Sequence, residues 1–143
     1  MKCYIASGWF TPTQQNDLDN IKYVLKQHNV EYFSPKDECE CPPDAGQQHQ
    51  NDVFLANHHA IYQCDFVVAN TRDKDMGTLF EAGVAFEMGK PIIYYCEGLE
   101  GPFNLMLAQS GVAVATNYHE ICKHVKGISE DINYISLTQM RIE

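Results

Sequence analysis

A single glutamate, Glu81, interrupts the most apolar helical stretch of the sequence, residues 75–91. The residue types predict a helix that begins near Asp75 or Thr78 and ends at Gly89. Because this helix is apolar on almost every side, we expect it to be buried. A carboxylate inside such a helix requires either a chemical or a structural reason.

Two explanations for Glu81 fit its position. In the first, Thr78 and Glu81 form a capping box, in which the glutamate bonds a backbone N–H group. In the second, Glu81 is a nucleophile, because a helix N-terminus favours the ionised carboxylate and an apolar wall keeps water away from it. The spacing by itself leaves both explanations open.

The length and charge of the chain limit what it can bind. The 143 residues predict one domain, residues 1–143, and the net charge of −9 argues against nucleic acid or an anionic membrane as a partner. A neutral small molecule remains a suitable ligand. In so small a chain, a buried site is easier to enclose when a second subunit completes it.

The cysteines indicate a reducing compartment. The six cysteines form no CxxC pair, no signal peptide is evident, and no apolar run approaches the roughly 18 residues of a membrane span. We therefore expect a cytoplasmic protein. The spacing of Cys39 and Cys41 with three histidines fits no standard zinc pattern, so we expect no metal and no organic cofactor.

Strand-like and helix-like segments alternate along the chain, which predicts an α/β fold with a parallel sheet between two helical layers. The expected strands are residues 2–6, 30–33, 64–70, 91–96 and 112–115. The expected helices lie near residues 13–28, 51–63, 75–89, 103–109 and 118–125, and residues 35–50 read as one long loop.

The carboxyl ends of parallel strands form the edge at which such sheets bind ligands. Four predicted loops, residues 6–10, 34–38, 70–75 and 97–104, meet at that edge. The N-terminus of the Glu81 helix lies there as well, which places the carboxylate near the floor of a cleft and strengthens the functional explanation.

Other residues near this edge also have two explanations. Trp9 either stacks on a flat ring or packs in the core, and Tyr4 packs inside a strand with a hydroxyl that needs a partner such as Glu81. Asp75 and Asn104 are ordinary helix caps by default. Two hypotheses follow: an enzyme with a carboxylate nucleophile, or a small-molecule binding domain in which Glu81 is structural.

Taken together, several segments resemble the nucleoside 2-deoxyribosyltransferase family. They are Tyr-Ile-Ala-Ser-Gly-Trp-Phe at 4–10, Phe-Ser-Pro-Lys-Asp-Glu at 33–38, Asp-x-Gly-Thr-x-x-Glu-x-Gly-x-Ala from residue 75, Gly-Lys-Pro at 89–91 and Asn-Leu-Met at 104–106. The segment around Glu81 is the specific part. The resemblance implies a flavodoxin-like, Rossmann-like three-layer sandwich with a five-stranded parallel sheet, and transfer of 2-deoxyribose between nucleobases.

The resemblance also implies roles for individual residues. Glu81 would attack C1′ of the sugar to form a covalent deoxyribosyl-enzyme, Tyr4 would hold its carboxylate, and Asp75 would assist proton transfer at the base. The implied substrate contacts are Trp9, Phe10, Glu38, Asn57 and Gly77, with Asn104 and Met106 reaching into the site of a neighbouring subunit. The expected assembly is a homo-oligomer, either a dimer or a dimer-based hexamer.

One residue departs from the family pattern. Members usually carry an aspartate in a Phe-x-x-Asp pattern, whereas this chain has Phe54-Leu-Ala-Asn57. Asparagine can bond the edge of a base but cannot donate a proton as an acid. The alternative activity is that of a 2′-deoxynucleoside 5′-monophosphate N-glycosidase. Relatives with that activity tend to bind phosphate with serines, and Ser7 is consistent with this alternative. Asn104 and the few basic residues favour a nucleoside instead.

Overall fold

A computed structural model describes residues 1–136 and 140–143 as one α/β domain. The strands are β1 (Lys2–Ala6), β2 (Glu31–Phe33), β3 (Phe66–Asn70), β4 (Ile92–Tyr95) and β5 (Ala113–Ala115). The α-helices are α1 (Pro12–Gln27), α2 (Pro35–Glu38), α3 (Gln47–Gln63), α4 (Met76–Glu87), α5 (Leu105–Ser110) and α6 (Tyr118–Glu130), and a 3₁₀ turn covers Arg72–Lys74.

The strands form a single parallel sheet in the order β2-β1-β3-β4-β5. This is the strand order of flavodoxin-like folds, so the predicted fold class is confirmed. The order reverses between β1 and β3, where the carboxyl ends of the two strands diverge toward different helices. Ligands bind at such switch points, which here lie beside the start of α4.

Side chains alternate between the two faces of the sheet, and each face is covered by helices. Cys3 and Ile5 of β1 pack with α1 and α6, whereas Tyr4 and Ala6 pack with α3, α4 and α5. Tyr4 is therefore directed toward the layer that contains α4, from the strand at the switch point.

The prediction of one long loop over residues 35–50 is wrong at both ends of that range. Pro35 begins the short helix α2, where a proline without an N–H group and with a fixed φ fits the first turn. Helix α3 begins at Gln47 rather than at residue 51. Its first turn is polar and exposed, so no apolar periodicity marked it in the sequence.

The prediction that α4 is buried on nearly every side is also wrong for the single chain. The small residues Ala82 and Ala85 face the sheet, while the rings of Phe80 and Phe86 are 57% and 52% exposed. Small side chains let the helix axis lie close to the sheet, and this leaves the large rings on the outer side.

The C-terminal residues that the structure describes return to the sheet edge near α5. Phe103 and Ile142 form an isolated parallel bridge, and the N–H of Leu105 donates to the carbonyl of Glu143 over 3.1 Å. No helix within residues 1–136 and 140–143 is both long enough and apolar enough to cross a membrane.

Candidate active site

Asp75 is the N-cap of α4. Its Oδ2 accepts hydrogen bonds from the backbone N–H of Thr78 over 2.8 Å and from the Thr78 hydroxyl over 2.9 Å. Thr78 is thus the third residue of the helix and not its cap. The capping-box explanation for Glu81 is therefore wrong, because Glu81 lies beyond the first turn, where backbone N–H groups are bonded within the helix.

Glu81 is instead held by the central strand of the sheet. The hydroxyl of Tyr4, which is buried, donates to Oε1 of Glu81 over 2.8 Å. The ring of Phe33 stacks on Tyr4 with the ring centroids 5.6 Å apart. Because Tyr4 is fixed by packing on β2, it holds one carboxylate oxygen in place and leaves the other, Oε2, available.

The surroundings of Glu81 favour its neutral form. Burial raises the pKa of the carboxyl to about 7, the hydrogen bond from Tyr4 acts to lower this pKa, and the nearby charge of Asp75 acts to raise it. The pKa of Tyr4 is raised by burial and by the Glu81 charge, so its hydroxyl remains a donor. At neutral pH a large fraction of Glu81 is ionised, although its surroundings are mostly apolar.

Two adjoining cavities open beside Glu81, and both are lined by Glu81, Asn57 and Gly77. We call the cavity of about 160 Å³ the aromatic cavity; its other lining residues are Ser7, Gly8, Trp9, Phe10, Pro35, Asp75 and Thr78. We call the cavity of about 190 Å³ the apolar cavity; its other lining residues are Phe54, His58, Ile61, Phe80 and Val84.

The wall of the aromatic cavity is formed by the loop after β1. The rings of Trp9 and Phe10 stack on each other with centroids 5.1 Å apart. The backbone N–H of Phe10 donates to Oε1 of the buried Gln14 over 2.9 Å, and the side chain of Gln14 fills the space that a Cβ at Gly8 would need. Gln14 was not singled out in the sequence because one glutamine in an amphipathic helix carries no signal.

The amide oxygen of Asn57 is buried and has no hydrogen-bond partner among the described residues. It lies on α3 at the junction of the two cavities. A buried acceptor without a donor costs about 1–3 kcal/mol, so this position is unfavourable in the free protein. A ligand with a suitably placed N–H group would remove that cost.

The apolar cavity contains residues that the sequence did not mark as functional. Phe54 of α3 and Phe80 of α4 lie with ring centroids 6.1 Å apart, and His58 lies 6.2 Å from Phe54 by the same measure. The sequence does not mark the phenylalanines, because aromatic residues at helical spacing in apolar segments are also typical of a buried core. Their exposure only becomes evident from the way the two helices pack.

The other predicted site residues lie outside these two cavities in the same chain. Glu38 ends α2 with an exposed side chain, while Pro35 is the α2 residue that lines the aromatic cavity. Asn104 caps α5 by accepting from the N–H of Leu107 over 3.2 Å, and Met106 is 75% exposed. Asn104 lines a separate cavity of about 310 Å³ with Lys74 and Glu143.

A polar cluster on the opposite face of the sheet fixes the loop after β3. Asp17 of α1 is fully buried and lies 3.3 Å from Arg72 Nη1, with the amide of Asn70 3.5 Å from its other oxygen. Burial raises the pKa of the Asp17 carboxyl, and the charge of Arg72 acts to lower it. Arg72 is therefore engaged away from Glu81.

Within residues 1–136 and 140–143, no group of three or more His, Cys, Asp or Glu side chains has the arrangement of a metal site. All six cysteines fall inside these ranges and are free thiols. The chemistry of the two cavities is thus that of one carboxylate with a raised pKa, a tyrosine donor, a capping aspartate, an amide and several aromatic rings.

We predict that replacing Glu81 with Gln stabilises the protein at pH 8 by about 1–3 kcal/mol. The folded-state pKa is raised from 4.5 to about 7, so wild-type stability falls as the pH rises through that window, whereas the amide does not titrate. Denaturant unfolding at pH 5 and pH 8 measures the difference, which should be small at pH 5. Glu87→Gln, on the exposed side of α4, is the control. An equal effect of Glu81→Gln at both pH values would contradict the raised pKa.

Comparisons with solved structures agree with this fold. A 2-deoxyribosyltransferase from the psychrotolerant bacterium Bacillus psychrosaccharolyticus is 23% identical, with a TM-score of 0.77 over 85% of this chain and 90% of that chain. A conserved protein from Enterococcus faecalis V583 is 15% identical, with a TM-score of 0.74 over 88% of this chain and 97% of that chain. The CMP N-glycosidase BcmB from Clostridium botulinum is 17% identical, with a TM-score of 0.60 over 86% and 96%. At these identities the similarity shows the fold alone.

No curated protein matches the sequence of this chain. A family model does match, and it covers most of the chain, including both cavities and the residues of α4. The match extends over residues 3–121 and carries the description nucleoside 2-deoxyribosyltransferase, so the chain belongs to the nucleoside 2-deoxyribosyltransferase family.

Proposed function

We propose that this protein transfers 2-deoxyribose between nucleobases through a covalent intermediate on Glu81. Membership of the family indicates an enzyme of glycosyl transfer or of N-glycoside hydrolysis. The observation that carries the more specific proposal is the Glu81 carboxylate, which Tyr4 holds at the junction of two cavities while one oxygen remains available.

In the first step, Oε2 of Glu81 attacks C1′ of the nucleoside from the face opposite the base. The bond between C1′ and the base nitrogen breaks, its electron pair leaves with the base, and the base takes up a proton that solvent supplies through Asp75. The product is an ester between Glu81 and the sugar. The transition state resembles an oxocarbenium ion, as in retaining glycosidases, and the negative oxygen of Glu81 stabilises it.

In the second step, a ring nitrogen of the incoming base attacks C1′ and the Glu81 carboxylate departs. The incoming base loses a proton, which balances the proton that the departing base acquired. Two inversions give net retention at C1′. Because water in place of the base would hydrolyse the ester, the apolar surroundings of Glu81 favour transfer over hydrolysis.

The aromatic cavity is suited to the base. Trp9 and Phe10 offer ring faces for stacking, and Asp75 lies in the same wall with Oδ1 available for proton transfer. Gly77 also lines this cavity, and a Cβ there would lie 3.3 Å from Oδ2 of Asp75, close enough to crowd the cap. We place Glu38, which follows on the same turn as Pro35, at the outer rim of this cavity.

The alternative substrate is a 2′-deoxynucleoside 5′-monophosphate that is hydrolysed rather than transferred. A phosphate is usually bound by Lys or Arg side chains or by backbone N–H groups. Within the described part of the chain, no lysine or arginine lines either cavity, and Arg72 is bound to Asp17. These observations favour a nucleoside.

A second copy of the chain would complete the site. Both cavities open to the surface, and we propose that Asn104 and Met106 of a neighbouring subunit contact the sugar there. The exposed rings of Phe54 and Phe80 at the cavity mouth are consistent with an assembly that covers them. The free thiols fit a reducing, cytoplasmic setting.

We expect a purified sample to convert a 2′-deoxynucleoside and a different free base into the exchanged nucleoside. Thymidine, 2′-deoxyinosine, 2′-deoxyadenosine and 2′-deoxycytidine are each incubated with an unlike base, and products are separated by chromatography. Glu81→Gln should lower the rate by at least about 10³-fold, because the nucleophile is lost, while Glu87→Gln retains it. Release of free deoxyribose alone would indicate a hydrolase, and release only from 5′-monophosphates would favour the alternative.

We expect kcat/KM for the nucleoside to increase with pH through about 7, the pKa to which burial raises the Glu81 carboxyl, because the nucleophile must be ionised. Tyr4→Phe removes a hydrogen bond that lowers this pKa, so the rising limb should move up by about one pH unit. The matched control is Tyr95→Phe, whose hydroxyl bonds Glu97 over 2.5 Å on the opposite face of the sheet. An unshifted limb in Tyr4→Phe would refute this role for Tyr4.

We expect two inactive variants to restore activity when mixed, if Asn104 acts in a neighbour's site. Asn104→Ser keeps a cap for α5 but is too short to reach a sugar. In a dimer with shared sites, random mixing of Asn104→Ser and Glu81→Gln chains leaves about a quarter of all sites with both an intact Glu81 and an intact Asn104. The rate is measured after unfolding and refolding the two chains together. No gain above the separate variants would place Asn104 outside the neighbour's site.

A further inference from the structure

We infer that the aromatic cavity selects nucleobases with an exocyclic amino group beside an unprotonated ring nitrogen, as in adenine and cytosine. The inference rests on the function proposed above and names the base that the site takes. It follows from the hydrogen-bonding groups that the cavity wall leaves without a partner.

The first of these groups is an oxygen of Asp75. Oδ2 already accepts two hydrogen bonds from Thr78, and Asp75 lines the aromatic cavity. Oδ1 therefore remains as an acceptor. Two acceptor oxygens repel each other, so this oxygen favours a ligand that brings an N–H donor and disfavours a carbonyl oxygen.

The second group is the buried Oδ1 of Asn57, which has no partner among the described residues. The last side-chain torsion of asparagine has a broad energy minimum, so a small rotation can turn this oxygen toward a ligand in the cavity. The same amide then presents its NH₂ group beside the oxygen. Asparagine thus offers one acceptor and one donor to the edge of a base.

The side-chain hydroxyls in the wall of the aromatic cavity add no further hydrogen-bond donor for a ligand. Ser7 donates to the carbonyl of Gly8 over 2.9 Å, and Thr78 donates to Asp75. Both hydroxyl protons are already engaged inside the protein. Apart from Glu81 Oε2, which the proposed reaction uses at C1′, and the indole N–H of Trp9, the side chains of the wall leave two acceptors, Asp75 Oδ1 and Asn57 Oδ1, next to one amide donor.

An amino group next to a ring nitrogen matches this pattern. Its two N–H bonds can reach the oxygens of Asp75 and Asn57, while the ring nitrogen accepts from the Asn57 amide, the bidentate pairing that asparagine makes with adenine. Hypoxanthine and uracil have a carbonyl oxygen at the position of the amino group. That oxygen would face the Asp75 carboxylate, and Asn57 Oδ1 would stay without a donor.

Two comparisons between acceptor bases of similar size test the inference. With 2′-deoxyadenosine as donor, cytosine and uracil are compared as acceptors, and with 2′-deoxycytidine as donor, adenine and hypoxanthine are compared. We expect kcat/KM to favour the amino-bearing base by about ten-fold or more in each pair. Equal rates, or a preference for uracil and hypoxanthine, would overturn the inference.

Variants at Asn57 test its part in the selection. Asn57→Leu removes both amide groups at similar volume, so the preference for cytosine over uracil should fall to about three-fold or less. Asn57→Asp loses the amide donor and can accept the ring N–H of uracil, so the preference for cytosine should fall in this variant as well. Asn51→Leu places the same substitution on the exposed start of α3 and should retain the wild-type ratio. An unchanged ratio in Asn57→Leu would exclude Asn57 from base selection.

These outcomes separate the inference from the function on which it rests. Absence of exchange with every base would refute transfer itself. Exchange without an amino preference would leave transfer intact and refute only the selection.

Discussion

The site depends on one hydrogen bond, from the hydroxyl of Tyr4 to the carboxylate of Glu81. It joins the central strand of the sheet to helix α4 through groups that are both largely removed from water. Burial opposes ionisation of Glu81, and the tyrosine donor is the main contact that offsets this. The result is a carboxylate that can be ionised near neutral pH without being heavily solvated, which is what the proposed role as a nucleophile requires.

The packing of α4 makes room for that carboxylate. Ala82 and Ala85 bring the helix close to the sheet, so that Glu81 can reach Tyr4. The same close approach directs Phe80 outward, where its ring forms part of the apolar cavity. The two alanines thus account both for the buried face of α4 and for the exposure of the opposite face. The exposed rings form the surface that we propose a second copy of the chain covers.

The charged residues near the switch point are distributed so that few of them reach the cavities. Asp75 caps α4, Arg72 pairs with the buried Asp17 on the other face, and Thr11 donates to Asp73 across the two loops over 2.8 Å. These contacts hold the loops that carry Trp9 and Asp75. The polar groups that remain free in the aromatic cavity are a small set of oxygens, one amide and the indole N–H of Trp9, which is consistent with the neutral ligand proposed for this strongly acidic chain.

The sequence by itself determined the five strands, the helices other than the short α2, the parallel sheet and the position of Glu81 at the ligand-binding edge, because alternating apolar segments and helix caps are local signals. Only the tertiary structure decided that Asp75 rather than Thr78 caps α4, that Phe80 is exposed, and that Asn57 Oδ1 has no partner among the described residues. The tertiary structure likewise brings Gln14 to Phe10 and His58 to Phe54. These features depend on which faces of separate elements meet, and the spacing of residues within one element carries no information about its neighbours in space.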